Sequence, residues 1–181
     1  LDTCVSKGAT ELIKRCLASS GDINTLHPQR RHTALHEVAG KLQATAPKAL
    51  ALLLKHKADV KKKDDAEDSL ATPLLWCCRA MKNCRKPAVI PDVVSALIEA
   101  KAKGTETDVA ARTPLHHAVL SAGAVPIATV LDVVAQLLDA DGEPRAKDAE
   151  GRSPMELAAT LEHDPNDLAL LSLYLSDAEQ L

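Results

Sequence analysis

Phenylalanine is absent from this chain of 181 residues, which holds a single Trp, a single Tyr and two Met. Ala and Leu dominate instead, so the core has to come from elements that approach closely rather than from large rings wedged between layers. The same shortage argues against recognition of single-stranded nucleic acid, where bases stack on aromatic side chains. The seven glycines are scattered, so no phosphate-cradling loop can be read. No apolar run reaches the ~18 residues of a membrane span, and no membrane insertion is expected. No signal-peptide pattern precedes the first helical stretch.

Five cysteines form an odd set without disulfide-framework spacing. Cys77, Cys78 and Cys16 fall on apolar helical faces. They read as core residues of a protein in a reducing intracellular compartment, cytoplasm or nucleus, with an organelle reached through a removed transit peptide also compatible. Zinc ligation by Cys77, Cys78 and Cys84 fits no usual spacing. Neither a metal nor a cofactor is expected.

What the chain does have is recurrence. Thr33-Ala34-Leu35-His36, Thr72-Pro73-Leu74-Leu75, Thr113-Pro114-Leu115-His116 and Ser153-Pro154-Met155-Glu156 stand 39, 41 and 40 residues apart. A fixed period of this length is the mark of a stacked repeat. Thr or Ser ahead of Pro starts a helix: the hydroxyl takes an orphan N–H of the first turn, and Pro fits the first helical position. Small residues follow at Val38-Ala39, Cys77-Cys78, Ala118-Val119 and Ala158-Ala159, which lets a neighbouring helix come close. A second apolar stretch then opens near Pro47, Pro91, Pro126 and Pro165, running Ala49 to Leu54, Val93 to Ile98, Val130 to Leu138 and Leu168 to Leu175. Glu11 to Leu17 has the same character. The unit is helix, turn, helix, polar loop.

No catalytic constellation is legible. His36-Glu37 lacks the second His of a zinc-protease helix, because Gly40 stands in its place. His116 and His117 point to different faces of one helix. Asp64-Asp65 sits in a polar loop and reads as solvated. Enzymatic activity and a small-molecule substrate are therefore not expected.

These residues resemble the ankyrin repeat, with Thr-Pro-Leu-His opening the first helix and segments such as Ser20-Gly21-Asp22-Ile23-Asn24 and Lys57-Ala58-Asp59-Val60 following the second. Lys103-Gly104 and Asp141-Gly142 are looser versions. The resemblance covers nearly the whole chain. It implies an all-α helical solenoid of helix-turn-helix repeats with β-turn or hairpin fingers, one domain over 1–181 with repeats at about 1–29, 30–68, 69–109, 110–149 and 150–181. The chain reads as part of a longer one.

The resemblance also implies that the motif His makes structural hydrogen bonds. Leu75 and Glu156 replace it in two repeats, and Ala34 replaces the Pro. From tetrapeptide to the end of the second helix, the intervals are 21, 26, 25 and 18 residues, against a family value of about 18. The middle repeats thus carry extra residues, in longer first helices or larger inter-helix loops. Leu42, Met81, Ala122 and Glu162 stand where the family ends its first helix with Gly, which disfavours a left-handed cap.

Residues 1–90 hold 16 Lys/Arg and 9 Asp/Glu, a balance of +7, while residues 91–181 hold 6 and 16, a balance of −10. This is either an uneven solvated surface or a field that orients a charged partner. Partners of ankyrin stacks meet finger tips and the exposed side of first helices. The resemblance therefore marks Glu37, Lys41, Trp76, Arg79, His117 and Ser121 as a ladder along those helices, and Lys61, Lys62 and Lys63 as a finger tip. Trp76 is either a binding hot spot or a core residue. With Lys82, Arg85 and Lys86 nearby, the lysine finger suits an acidic peptide better than RNA. The implied function is a protein-interaction module, that is, an adaptor, a scaffold or an assembly subunit of a large complex. The alternatives are a regulatory segment of an enzyme or channel, and nucleic-acid binding by the basic half.

Overall fold

The computed structural model describes residues 22–67, 69–160 and 164–177. The stretch Glu11 to Leu17, Cys16 and the Glu162 cap position lie outside the described residues. Within them the fold is all-α. The helices are α1 (Ala34–Lys41), α2 (Ala46–Lys55), α3 (Pro73–Ala80), α4 (Ile90–Glu99), α5 (Pro114–Val119), α6 (Ile127–Asp139), α7 (Pro154–Ala158) and α8 (Pro165–Asp177). No strand occurs among the described residues; an isolated bridge joins Ala122 and Val125.

Each odd helix begins where the tetrapeptide requires. Thr33, Thr72, Thr113 and Ser153 are N-caps in extended conformation, and Pro73, Pro114 and Pro154 fill the first helical position. Thr72 accepts the Leu75 N–H through its hydroxyl (3.4 Å). At Ser153 the exchange is reciprocal: its hydroxyl accepts from Glu156 N, and Glu156 Oε2 accepts from Ser153 N at 2.6 Å. Glu156 therefore caps the last repeat in place of His.

The helices pack in two rows. In one row α1 lies on α3, α3 on α5 and α5 on α7; in the other α2 lies on α4, α4 on α6 and α6 on α8. Each odd helix also packs against the even helix that follows it. Small side chains make the first row tight: Ala39, Cys77, Cys78, Ala118 and Ala158 have no exposed surface. Between the rows lie Leu35, Leu74 and Leu115, with Leu50, Leu53, Val93, Leu97, Val133, Leu137, Leu171 and Leu175 from the even helices. Met155 packs partly buried against the same cluster.

The extra residues do not lengthen the first helices; they lie chiefly in the α3–α4 connection and in α6, which has 13 residues where α2 and α4 have 10. α1 and α3 have eight residues each and α5 has six. After α3 the chain makes 3-10 turns at Met81–Asn83 and Pro87–Val89 before α4 begins. One cap expectation is corrected here, because Leu42 does take the left-handed conformation after α1 (φ 44°). Its side chain is 4% exposed, and this burial in the inter-row core holds the backbone there.

Scarcity of glycine shows up as strain in the loops. Two residues before each N-cap the chain turns through positive φ, at Arg31, Leu70, Ala111 and Gly151, and only the last is glycine. After each of α2, α4 and α6 it does so again, at Lys57, Lys101 and Asp141. There the turn is closed by bonds back to the helix: Ala58 N to Leu53 O, Ala102 N to Leu97 O and Gly142 N to Leu137 O. A left-handed non-glycine residue costs about 1–2 kcal/mol. Replacing Leu70 or Ala111 by Gly should therefore raise stability by about 1 kcal/mol each, after the added freedom of the unfolded chain is subtracted. Urea unfolding of the single variants measures this. A loss of stability would mean that these turns are not left-handed.

Candidate interaction surface

The loops preceding α3, α5 and α7 are built around one carboxylate each, while ahead of α1 the His27 Nδ1 accepts from the N–H of Gln29 and Arg30. Asp108 Oδ1 accepts from the N–H of Ala110 and Arg112, and Asp148 Oδ1 from the N–H of Glu150 and Arg152, all within 2.9–3.0 Å. Asp64, in the loop ahead of α3, accepts from Ala71 N (3.0 Å) and from the Ser69 hydroxyl (2.7 Å). Asp64 is thus 2% exposed, not solvated as the sequence suggested. Adjacent loops are tied by single main-chain bonds: Asp65 N to Arg31 O, Val109 N to Ser69 O and Ala149 N to Ala110 O.

The second oxygen of these carboxylates explains what became of the predicted ladder. Trp76 and His117 each stand four residues after the N-cap of their helix. Trp76 Nε1 donates to Asp64 Oδ2 at 2.6 Å, and His117 Nε2 pairs with Asp108 Oδ2 at 2.8 Å. Where Leu157 takes that position, Asp148 is instead gripped by the Arg152 guanidinium at 3.0 Å. Position four faces inward onto its own finger.

Trp76 is half-buried. The His32 ring lies 4.6 Å from it, the His36 ring meets it edge-on at 5.6 Å, and the Arg79 guanidinium lies 5.8 Å from its centroid. Gly40 touches the opposite edge of the indole, where any Cβ would come within 2.9 Å of the ring.

The nine predicted contact residues therefore divide. Lys61 and Lys62 are exposed cations without an ion pair among the described residues. Lys41 is exposed and paired to Glu37, which also holds Arg30 and His32. Lys63 bridges to the next finger through Glu106 (3.4 Å) and the Thr107 carbonyl (3.2 Å). Arg79 is half-buried over Trp76. His117 and Ser121 are buried, and the Ser121 hydroxyl donates to Ala118 O at 2.6 Å. His117 and Ser121 thus offer a partner no surface; the expectation failed because the finger carboxylate and the tight odd row turn them inward.

The basic segment Lys82, Arg85, Lys86 is also not beside the lysine finger. The finger enters α3 at its N-terminus, and this segment leaves at the C-terminus, about 12 Å away along an eight-residue helix. The sequence reading missed Asp64, Asp108 and Asp148 as organising residues. A signal existed, since Asp108 and Asp148 both stand five residues before their N-cap.

His36 and His116 do make structural bonds. Nδ1 of each accepts from the backbone N–H of its own N-cap, Thr33 or Thr113 (3.3 and 3.1 Å). Nε2 donates to a carbonyl just ahead of another N-cap: Ala71 O for His36 at 3.0 Å, Arg152 O for His116 at 3.1 Å. This geometry needs the neutral ring, because protonating Nδ1 would set N–H against N–H. Burial lowers the pKa of both, outweighing the carbonyl bond.

A His with a depressed folded pKa favours the folded state fully above its ordinary value of about 6.5, and that share is lost as pH falls. The denaturation midpoint should therefore drop between about pH 7 and about pH 5, and His36→Gln with His116→Gln should flatten the drop. An unchanged slope in the double variant would refute the assignment. The carboxylates act lower. Burial alone would raise Glu37, but Lys41 and His32 hold it at about 2; Asp148 is likewise held at about 2 against its burial, by the Arg152 N–H and guanidinium and by the Glu150 N–H.

Cys77 and Cys78 are fully buried free thiols, Cys78 pushed by burial up to about 12. Cys84 is a half-buried free thiol, its Sγ 3.7 Å from Leu42 O. Among the described residues no group of three or more His, Cys, Asp or Glu is placed to hold a metal ion. No helix among them is long and apolar enough to cross a membrane. No protein-family model matches the sequence, and no curated protein matches it as a relative.

Proposed function

We propose that this chain is an ankyrin-type solenoid acting as a non-catalytic protein-interaction module, an adaptor, scaffold or assembly subunit. The observation that carries this reading is the repeated register. Four N-caps at a near-constant period each open a helix, the four helices lie one on the next, and the four loops ahead of them are tied in sequence by three main-chain bonds. Such a stack displays side chains in fixed positions, so little ordering entropy is lost on binding. Lys61 and Lys62 are the contact residues, exposed before α3 and without an ion pair among the described residues. Lys41 joins them on the odd row. The step from fold to role is by analogy with the family.

Photo-crosslinking amino acids at Lys61 and Lys62 test the reading, with Asp92 and Asp132 on the even row as comparison sites. Crosslinks to one defined partner from the finger positions are expected. Crosslinks from the even row alone would overturn the assignment of the binding face.

The terminal helix favours a second reading. Leu170, Leu173 and Tyr174 are 42%, 58% and 44% exposed on α8. Soluble surfaces rarely leave such an apolar face open, and terminal repeats normally turn a polar side outward. A regulatory segment packed within a larger enzyme or channel would cover it. The complete reading frame distinguishes the two.

A further inference from the structure

At the ends of the helix pairs remote from the fingers, the α1–α2 and α3–α4 connections bound a cleft of about 610 Å³. One wall is the end of α1 and the connection to α2, from Gly40 to Thr45; the other is Ala80 and the turn from Asn83 to Lys86. Its charge is of one sign. Lys41, Arg85 and Lys86 line it, and no Asp or Glu does. Arg85 and Lys86 are exposed and carry no ion pair among the described residues, as do Lys82 on the adjoining turn and Lys48 in the first turn of α2. Arg30, Arg31, Lys63, Lys147 and Arg152 are each paired to a carboxylate, whereas Lys61 and Lys62, like Arg85 and Lys86, carry no ion pair among the described residues.

The cleft also holds two exposed side-chain amides, Gln43 and Asn83, that make no hydrogen bond among the described residues. An amide both donates and accepts, which is what a passing main chain offers in return. No aromatic ring lines the cleft, so it has nothing on which a nucleobase could stack.

We infer that this cleft binds an extended acidic segment of a partner protein, with Arg85 and Lys86 meeting its carboxylates and Gln43 and Asn83 its backbone. This rests on the interaction-module reading and adds a second surface to it, away from the fingers. Unpaired like charges around a concavity focus field into it, so association is fast and falls with salt.

The test uses a short fluorescent peptide of Asp and Glu alternating with Gly and Ser, read by anisotropy at low salt. Arg85→Glu with Lys86→Glu should weaken binding by about tenfold or more. Lys101→Glu with Lys103→Glu, two exposed residues of the loop after α4 that do not line the cleft, should change it by less than about twofold. Both variants change exposed residues and should keep the parent melting temperature. Bound peptide should also shield Cys84 from iodoacetamide, followed by peptide-mapping mass spectrometry, while the buried Cys77 and Cys78 stay unlabelled in every sample.

Equal loss in both variants, or full labelling of Cys84 at saturating peptide, would overturn the proposal. So would tighter binding of an RNA oligonucleotide of similar length. The finger crosslinks are a separate readout, so failure at the cleft leaves the module reading standing and the reverse also holds.

Discussion

Leu115→Ala should destabilise the protein by about 2–5 kcal/mol, the range for truncating a fully buried leucine. Leu115 has no exposed surface and stands in the first turn of α5, between the two rows. Its neighbours are held by helices on both sides, so the space left behind cannot collapse easily. Leu54→Ala provides the contrast. The sequence pattern ends the second apolar stretch at Leu54, but Leu53 takes the core position, at 1% exposure, and Leu54 is only partly buried. Its truncation should cost about 1–2 kcal/mol, in proportion to the smaller area lost. Chemical unfolding of the two variants checks this. A cost below about 1 kcal/mol for Leu115, or equal costs at both sites, would contradict the packing described.

That contrast shows what the sequence could and could not disclose. The helix starts were legible because they depend on local chemistry, an N-cap hydroxyl with Pro behind it, and all four tetrapeptides open helices. The small residues at Ala39, Cys77, Cys78, Ala118 and Ala158 were legible for a similar reason, since helix rows at close approach admit little else. Turn conformation was not. Arg31, Leu70, Ala111, Lys57, Lys101 and Asp141 adopt a backbone that glycine would announce, and main-chain bonds within the loop or back to the preceding helix close those turns instead. Nor could residue type alone say whether the extra residues would lengthen helices. Side-chain direction at Trp76 and His117 was the largest surprise. His117 was expected to face a partner and Trp76 either a partner or the core, yet each meets a carboxylate of the loop before its helix, from Asp108 and Asp64 respectively. Lys61 and Lys62 were readable as exposed because they stand in a run of polar and charged residues between two apolar stretches.

Asp64→Ala should cost about 3–5 kcal/mol, because it orphans buried donors rather than removing a surface charge. The carboxylate is buried and collects the Ala71 N–H, the Ser69 hydroxyl and the Trp76 indole N–H. Each loses its acceptor in a place that water enters poorly, at about 1–3 kcal/mol per group. Asp64→Asn should recover part of the loss, since the amide oxygen still accepts while its NH2 faces donors. Trp76→Ala should be destabilising too, because the ring fills space between His32, His36 and Gly40. The double variant separates bond from packing: if the indole N–H and Asp64 act as a pair, the two losses will sum to more than the combined effect. Additive losses would show that Asp64 holds the finger through Ser69 and Ala71 alone. If instead Trp76→Ala left stability intact while abolishing partner binding, the indole would belong to the contact surface, and the inward ladder described for these helices would have to be abandoned.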